Sequence, residues 1–552
     1  MGNRSKSKSN YIIQGSILAA ASIVVRIIGM LYRIPVTNII GDVGNDYYSG
    51  AFEIYNIILL ISSYSLPLAV SKLVAARAKL GEYRNVMRLF KGALMFALAV
   101  GTIGSLFTYF FADFLAANIV HTPQSAPALK VLALAVFILA IMGVLRGYFQ
   151  GLGTMLPTAV SQIIEQIINA IVSIAAASWL FQYGMKLDQK AGVTDGTGAA
   201  SYGAAGSTMG TTVGALAGFL FLVAVMLMYN RVIRKRIRKD RSSRLLGYTE
   251  LLKTLVLTIL PVILSTAIYN VNGIIDQGVF KFLMLEVMEK DPLEVSQQWG
   301  VFTGKYKLLV NVPIAVASAL SASTIPALTA ARISGDVKEM RRKTEGAIRM
   351  VMMVCIPSAV GLAALGGPIV KLLFPQGVEL AGKLFLFGSS AVVFYGLSTL
   401  TNGILQGIDH MKLPVIHAVI ALVSHLVLLV ILVLAGNLDI FAIMISYVFF
   451  ALLMCVLNGL AIRKHLRYKQ EIKRTFLVPG IASAIMGIAA WLMYEFLHEL
   501  IGNTITLCIC LPMAVIIYAF FILLMQGITE QELAAFPKGR TLVRICKKLR
   551  LM

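Results

Sequence analysis

The chain has 552 residues, of which 58% are hydrophobic and 14% charged, and its mean hydropathy is +0.81. A soluble domain cannot bury so much apolar surface, so the composition indicates an integral membrane protein. The net charge of +23 does not indicate a nucleic-acid-binding protein, because the basic residues stand in short clusters between apolar runs and no recognition motif accompanies them.

The apolar runs predict an all-α membrane protein with about fourteen transmembrane helices, each long enough to cross a hydrocarbon layer of about 30 Å. The predicted spans are 11–40, 48–76, 90–112, 126–148, 157–182, 208–230, 250–282, 298–330, 345–374, 381–407, 413–436, 438–462, 476–499 and 503–526. No convincing cleavage site follows the first run, so we expect the first helix to remain attached. The five cysteines lack metal-ligand spacing and are expected to be free thiols.

Alternate connections are basic, which predicts that they face the cytoplasm. These clusters occupy 77–91, 231–244, 332–343 and 463–474. The intervening connections are acidic, as between Glu286 and Glu294, or Gly-rich and nearly neutral, as between Gly192 and Gly210. We interpret the basic clusters as topology signals rather than docking sites for lipids or proteins. An even number of spans then places both termini in the cytoplasm.

An internal repeat divides the chain. Leu145-Arg146-Gly147-Tyr148-Phe149-Gln150-Gly151 recurs 256 positions later as Thr401-Asn402-Gly403-Ile404-Leu405-Gln406-Gly407. The offset covers about six helices, which predicts two pseudo-symmetric lobes related by an axis along the membrane normal. The predicted divisions are an N-lobe at 1–232, a basic cytoplasmic linker at 233–249, a C-lobe at 250–465, two further helices within 466–526 and a basic cytoplasmic tail at 527–552.

Two arginines in the first apolar run are the leading candidates for a binding site. Arg26 and Arg33 are seven residues apart, almost two helical turns, so both project from one face. A charge inside a bilayer is costly unless it faces a hydrated or partnered interior. Two guanidinium groups side by side suit a phosphate or diphosphate. The pair therefore predicts an anion receptor inside a transporter.

Further polar groups lie within predicted helices and are expected to line a hydrated cavity between the lobes. Those of the fifth helix follow the spacing i, i+3, i+4 and i+7, a stripe that cannot face lipid. The candidates are Gln162, Glu165, Gln166 and Asn169 on this stripe, Glu53 and Asn56, Asn272 and Asp276, and Lys305, Lys307 and Asn311. Two alternatives remain open: the acids pair with the arginines, as Arg26 with Glu53 or Glu165, or the lysines extend to an interface.

The second copy of the repeat lacks this chemistry, because the stripe maps to Ala418, Ala421, Leu422 and His425. We therefore expect polar recognition to be concentrated in the N-lobe. His417 and His425 are interpreted as buried, satisfied histidines, with proton relay as the alternative. Enzyme motifs are missing: His498-Glu499 has no second histidine of a zincin, and the glycine-rich stretch from 192 lacks a P-loop ending. Neither an enzyme nor ATP-driven transport by this chain alone is predicted.

The repeat motif, the segment Pro157–Gln162 with Glu165-Gln166, and Arg26–Pro35 through Gly41 resemble the polysaccharide-exporter branch of the MOP flippase superfamily, in particular the MurJ-like lipid II flippases and stage V sporulation protein B. The resemblance implies a V-shaped pair of lobes in a bacterial plasma membrane. It implies that the protein moves undecaprenyl-diphosphate-linked lipid II from the inner to the outer leaflet by alternating access.

The resemblance also implies which residues act. The cavity arginines of the MurJ first helix correspond to Arg26 and Arg33, and Lys305 or Lys307 stands in place of an arginine of the eighth helix. The last two helices are implied to form a groove for the lipid tail. The resemblance implies transport driven by the membrane potential or an ion gradient, with no cofactor and no metal site. The sodium-site residues described for the eleventh helix are not matched, so the sequence does not predict the coupling ion.

Three alternative functions remain: a flippase for another lipid-linked polysaccharide unit, a cation-coupled multidrug antiporter, and a non-transporting membrane scaffold for cell-wall enzymes. The expected partners are an undecaprenyl-diphosphate-linked substrate, membrane lipids and cell-wall synthesis enzymes. A monomer satisfies everything in the sequence.

Overall fold

The computed structural model describes residues 2–240, 245–528, 530 and 543–544. In this part of the chain the regular structure is helical, with no β-strand. The side chains of residues 2–16, 19, 64, 261–262 and 264–269 also lie outside the description. Most of the predicted basic tail, including Cys546, and residues 241–244 of the predicted linker lie outside the described residues as well.

The described part of the chain forms seventeen α-helices. They are α1 Gly2–Leu59, α2 Leu66–Lys79, α3 Tyr83–Phe110, α4 Ala112–Asn118, α5 Ala126–Gly151, α6 Leu156–Ala191, α7 Thr197–Lys239, α8 Tyr248–Phe282, α9 Pro292–Val301, α10 Lys307–Ile333, α11 Val337–Leu373, α12 Val378–Gly388, α13 Ala391–Gly407, α14 Lys412–Leu434, α15 Asp439–Leu466, α16 Val478–Ile501 and α17 Asn503–Leu524. Short π-helical segments occupy Leu60–Tyr64, Leu283–Val287, Phe302–Tyr306 and Lys473–Leu477, and Pro123–Ser125 forms a 3₁₀ turn.

The prediction of an all-α, multi-pass membrane protein is confirmed. Among the described residues, eleven helical stretches are long and apolar enough to cross a bilayer, and α12 with α13, bent by 55°, make a twelfth. The first stretch, Ala20–Lys79, has 60 residues and contains the second predicted span, 48–76, together with residues 20–40 of the first. Helix α8 covers the predicted seventh span, 250–282. Every predicted span therefore coincides with a helix or with a pair of helices.

Helix α1 is two helices joined at Gly41, where the backbone has φ 69° and ψ −175°. Side chains other than hydrogen are excluded from this region, so glycine is required here. The break falls between the first two predicted spans. It allows the residues after Gly41 to fold back against those before it.

The expectation of a Gly-rich connection between Gly192 and Gly210 is wrong for most of its length, because α7 begins at Thr197. Its glycines pack against α6: the Cα of Gly206 lies against the Ala176 carbonyl, and that of Gly214 against the Glu165 carbonyl. Small residues at helical spacing let two helices approach closely in a membrane. The glycines serve helix packing rather than chain flexibility.

The two copies of the repeat have matching local structures. The first ends α5 at Gly151 and the second ends α13 at Gly407, and each is followed by a short turn and a new helix. Gly147 packs against Pro67 of α2, and Gly403 packs against Ser321 of α10. In both copies a glycine therefore permits close contact with an earlier helix.

The chain divides into two compact units, Met1–Gly300 and Val301–Met552. The first unit includes α8, which the repeat assigns to the second lobe, so the lobe boundaries remain a prediction from sequence. A core of the first unit joins α1, α5 and α7 around Tyr32, Tyr48 and Leu129. In the second unit, α16 and α17 pack on α11 through Met486, Leu507 and other apolar residues.

The predicted free thiols are confirmed for the described cysteines. Cys355, Cys455, Cys508 and Cys510 are all unpaired with other cysteines.

Candidate functional site

Arg26 and Arg33 are carried by α1 in the first unit. Arg26 is exposed and Arg33 half-buried, and neither forms an ion pair with an acid in the part of the chain that the structure describes. The guanidinium carbon of Arg33 lies 4.3 Å from the centre of the Tyr48 ring. The described structure therefore leaves both positive charges uncompensated by a carboxylate.

Two residues of the predicted stripe on α6 meet α1 beside these arginines. The Gln166 amide lies against Gly29, where an added methyl group would be 2.9 Å from Nε2. Gly29 is three residues after Arg26 and four before Arg33, so it shares their face of the helix. One turn on, Asn169 Nδ2 donates to the Tyr32 hydroxyl at 3.4 Å. The structure thus brings the stripe and the arginines of α1 together.

The residues at the two ends of the stripe differ in their surroundings. Asn169 is buried, and the Ser173 hydroxyl lies 2.9 Å from its amide oxygen and 2.7 Å from the Ser207 carbonyl of α7, so its one proton is donated to either acceptor. The position of Asn169 is that of a residue joining helices. The amide oxygen of Gln162 is buried and has no hydrogen-bond partner among the described residues. An amide oxygen in that state has capacity for a hydrogen-bond donor of a ligand.

Glu165 pairs with Arg146 of α5, at 2.7 Å from Nη2, rather than with Arg26 or Arg33. The Arg146 Nε also donates to the Ser161 hydroxyl at 3.1 Å. The alternative in which Glu165 forms an ion pair with Arg26 or Arg33 is therefore wrong for this structure. In the sequence, Arg146 is a lone charge in an apolar run, which indicates a partner within the membrane but does not specify which acid supplies it.

Glu53 and the α8 candidates lie on facing helices of the first unit. The Glu53 carboxylate packs directly against Gly273, the residue next to Asn272. Asn272 Nδ2 donates to Asp276 at 3.3 Å, and Asp276 is buried. Asn56, one turn after Glu53, is exposed. Glu53, Asn272 and Asp276 therefore form a second polar region, between α1 and α8.

The two candidate lysines of the second unit have different environments. Lys305, in the π-helical segment Phe302–Tyr306, is buried and donates to the Gln376 carbonyl at 2.6 Å. Lys307 is half-buried, and its ammonium lies 5.6 Å from the centre of the Phe302 ring and 5.3 Å from that of Tyr447. Asn311, one turn later, is exposed. Lys305 is thus engaged by protein groups. Lys307 is therefore the better candidate for contact with a substrate anion.

Sequence reasoning missed a buried charge cluster in the first unit. Lys281 donates to Asp46 at 2.5 Å and to the Thr122 hydroxyl at 2.6 Å, and Gln277 Nε2 donates to the other oxygen of Asp46 at 3.3 Å. Both charged side chains are closed to solvent. Each stands at the end of a predicted apolar run, where a charge is ordinarily hydrated, so the sequence held no signal that they would meet.

His417 agrees with its interpretation as a satisfied histidine. Its Nδ1 lies 2.8 Å from the Asn458 amide oxygen, and Asn458 Nδ2 donates to the Thr401 hydroxyl at 3.0 Å. His425 is fully buried beside the Phe450 ring. Among the described residues, no group of three or more His, Cys, Asp or Glu side chains is placed to hold a metal ion.

The model of the polysaccharide biosynthesis protein family matches residues 14–332, more than half of the chain. The chain belongs to this family. The polysaccharide biosynthesis match contains Arg26, Arg33, Arg146 and the whole polar stripe of α6.

Two relatives from Bacillus subtilis (strain 168) align along most of the chain. The lipid II flippase MurJ is 26% identical over 499 residues, 87% of this chain and 88% of the relative. Stage V sporulation protein B is 23% identical over 552 residues, 98% of this chain and all of the relative. These relatives confirm the predicted placement among MurJ-like proteins and the prediction that the chain is not an enzyme.

Solved structures show the same fold at 16% sequence identity. The lipid II flippase MurJ in an inward closed conformation has a TM-score of 0.64 and covers 91% of this chain and 97% of its own. An inward-facing multidrug resistance MATE family transporter of the MOP superfamily has a TM-score of 0.66, and the match covers 83% of this chain and 98% of the transporter. This polysaccharide biosynthesis protein therefore has the fold of a membrane transporter.

Proposed function

We propose that the chain is a flippase for an undecaprenyl-diphosphate-linked cell-wall precursor, with lipid II as its substrate, and that it works by alternating access. The observation that carries the proposal is the pair Arg26 and Arg33, which share one face of α1 and have no carboxylate partner among the described residues. The relatives named for lipid II transport support the same substrate class.

The chemistry of the site suits a diphosphate. Each guanidinium offers a planar set of N–H donors that matches two phosphate oxygens. The Arg146–Glu165 pair is internally neutral, so it does not cancel the positive charge carried by α1. The amides of Gln162 and Gln166 lie on the same stripe and supply hydrogen-bonding groups for the saccharide.

The membrane potential fits as the driving force. With the cytoplasm negative, outward movement of one negative charge through 100 mV is favourable by about 2.3 kcal/mol. The proposal places both termini in the cytoplasm and the protein in a bacterial plasma membrane, and it requires only a monomer. Cell-wall synthesis enzymes are its proposed partners, and the similarity to stage V sporulation protein B extends the proposed setting to sporulation.

The experiment is a flipping assay with purified protein in proteoliposomes, using lipid II and an impermeant reagent that detects its arrival in the outer leaflet. Replacing Arg26 and Arg33 together with alanine removes two charge-assisted contacts, each expected to change binding by about tenfold or more. A matched control is Arg332→Ala, an exposed arginine paired with Asp409 at the end of α10. Undiminished flipping by the double variant, with the protein folded, contradicts the proposal.

The flipping assay, dye efflux and cell-wall synthesis in cells together distinguish the alternatives. Flipping of another undecaprenyl-diphosphate-linked oligosaccharide in preference to lipid II assigns the chain a different polysaccharide unit. Efflux of cationic dyes without lipid flipping indicates an antiporter. Cell-wall synthesis that is fully supported by the double arginine variant indicates a scaffold.

A further inference from the structure

We infer that Arg26 and Arg33 contribute differently to substrate binding. Tyr48 is a positioning residue that orders the guanidinium of Arg33 before substrate binds, whereas the side chain of Arg26 becomes ordered only on binding. This inference rests on the proposed function, because it concerns the grip on the same diphosphate. It adds a residue, Tyr48, that touches the arginine rather than the substrate.

The ring of Tyr48 lies under the Arg33 guanidinium, with 4.3 Å between the guanidinium carbon and the ring centre. An arginine stacked on an aromatic face retains most of its N–H donors at the edge of its plane. Tyr48 can therefore hold Arg33 in place while leaving its N–H donors available for substrate, whereas a carboxylate would accept their hydrogen bonds.

Tyr48 is itself held in place. Its side chain is 3% exposed, and its ring stacks on Phe52 with 4.9 Å between centres, while Phe52 contacts the edge of Tyr55. Tyr32, the neighbour of Arg33, receives a hydrogen bond from Asn169 of α6. The aromatic packing thus fixes the ring on which Arg33 rests, and Asn169 joins the preceding residue of α1 to α6.

The contact between Arg33 and Tyr48 depends on the break at Gly41. Fifteen residues of straight helix would separate these two residues by about 22 Å. The glycine conformation at φ 69° and ψ −175° turns the chain so that the second half of α1 returns beside the first. The local backbone is therefore what creates the aromatic support for Arg33.

Arg26 has no such support. Its side chain is exposed, and it contacts neither an aromatic ring nor an acid in the described part of the chain. Ordering a long, free side chain on binding costs conformational entropy, whereas a side chain that is already ordered costs little. Arg33 should accordingly contribute more affinity than Arg26, although the two have the same charge.

The test measures binding of undecaprenyl diphosphate to the purified full-length chain in nanodiscs. Loss of the ring in Tyr48→Leu should weaken binding by about tenfold, whereas Tyr48→Phe keeps the ring and should stay within about threefold of the native affinity. Tyr47→Leu is the matched control, since Tyr47 is equally buried in the same core but is not among the contacts of Arg33. Thermal unfolding of each variant reports any general loss of fold.

A double-mutant cycle decides whether Tyr48 acts through Arg33. In an Arg33→Ala background, Tyr48→Leu should cause no further loss of binding. An equal loss with and without Arg33, or the same loss in Tyr47→Leu, overturns the inference. If Arg33→Ala alone leaves binding unchanged, the proposed diphosphate site fails first, so the two failures are distinguishable.

Lysine substitutions give a second test that leaves the aromatic core intact. Lys keeps the charge but loses the planar stacking surface. Arg33→Lys should therefore weaken binding at least threefold more than Arg26→Lys. Equal effects of the two substitutions would show that neither arginine is specially positioned.

Discussion

The carboxylate of Asp46 and the ammonium of Lys281 form an ion pair of 2.5 Å, with 0% and 1% of their side chains exposed. The pair joins the second half of α1 to α8, the helix that the repeat makes the first of the C-lobe. Nearby, the Trp299 indole donates to the Ser49 hydroxyl at 3.2 Å, so α9 is attached to the same region of α1. A buried ion pair thus connects elements that the repeat assigns to different halves of the chain.

Removing one partner of this pair should destabilise the protein strongly. Asp46→Asn or Lys281→Met leaves an unpaired buried charge, which is expected to cost about 3–5 kcal/mol. The double variant Asp46→Asn with Lys281→Met removes both charges and should recover most of that loss. Thermal unfolding in detergent measures the effect. If both single variants unfold at the native temperature, the pair does not stabilise the fold.

Arg146 should neutralise the charge of Glu165, which would otherwise lower the affinity of the arginine site for an anion. In Arg146→Met the Glu165 carboxylate loses its partner and remains next to Gln166, which lies on the arginine-bearing face of α1. A free negative charge there weakens attraction for a diphosphate, so affinity for undecaprenyl diphosphate should fall by about tenfold. Adding Glu165→Gln should restore it. A double variant that binds no better than Arg146→Met contradicts this role.

Gly41 should not accept a side chain. Gly41→Ala forces alanine into a glycine-only conformation, at a cost of about 1–3 kcal/mol, and should disturb the contact between Arg33 and Tyr48. Gly346→Ala is the control, because Gly346 lies in α11 with open space around its Cα. That substitution should be neutral or stabilising by up to about 1 kcal/mol. Similar unfolding temperatures for both variants would refute the requirement for glycine at 41.

The two lysines of the second unit should differ in their phenotypes. Lys305→Met deprives the Gln376 carbonyl of a buried donor, so we expect a loss of stability of about 1–3 kcal/mol. Lys307→Met removes a half-buried cation and should lower flipping by about tenfold while the protein remains stable. Flipping and thermal unfolding are measured on the same preparations. The assignment fails if Lys307→Met flips substrate at the native rate.

The sequence predicted the helices well because their signal is local. An apolar run long enough to cross a bilayer has few alternatives to a helix, since every backbone N–H and C=O needs a partner within the segment. The Gly-rich start of α7 was the exception. There, glycine's usual preference for connections was overridden by the close contact with α6, which no property of α7 alone reveals.

The candidate site was predicted in part. The shared face of Arg26 and Arg33 and the stripe from Gln162 to Asn169 follow from helical periodicity, and the structure brings Gln166 against the arginine-bearing helix. Helical periodicity did not predict the ion-pair partners of these residues. Glu165 has two candidate arginines on α1 and one on α5, and a charge selects the partner that packing brings within hydrogen-bond distance.

The sequence by itself therefore determined the membrane class, the positions of the helices, the repeat and the two arginines, all of which depend on composition and on residues near each other in the chain. Only the tertiary structure decided that Asp46 meets Lys281, that Glu165 meets Arg146 and that Arg33 rests on Tyr48. Each of these contacts depends on how helices pack or where one helix breaks, and periodicity specifies the face of a helix but not the neighbour of that face.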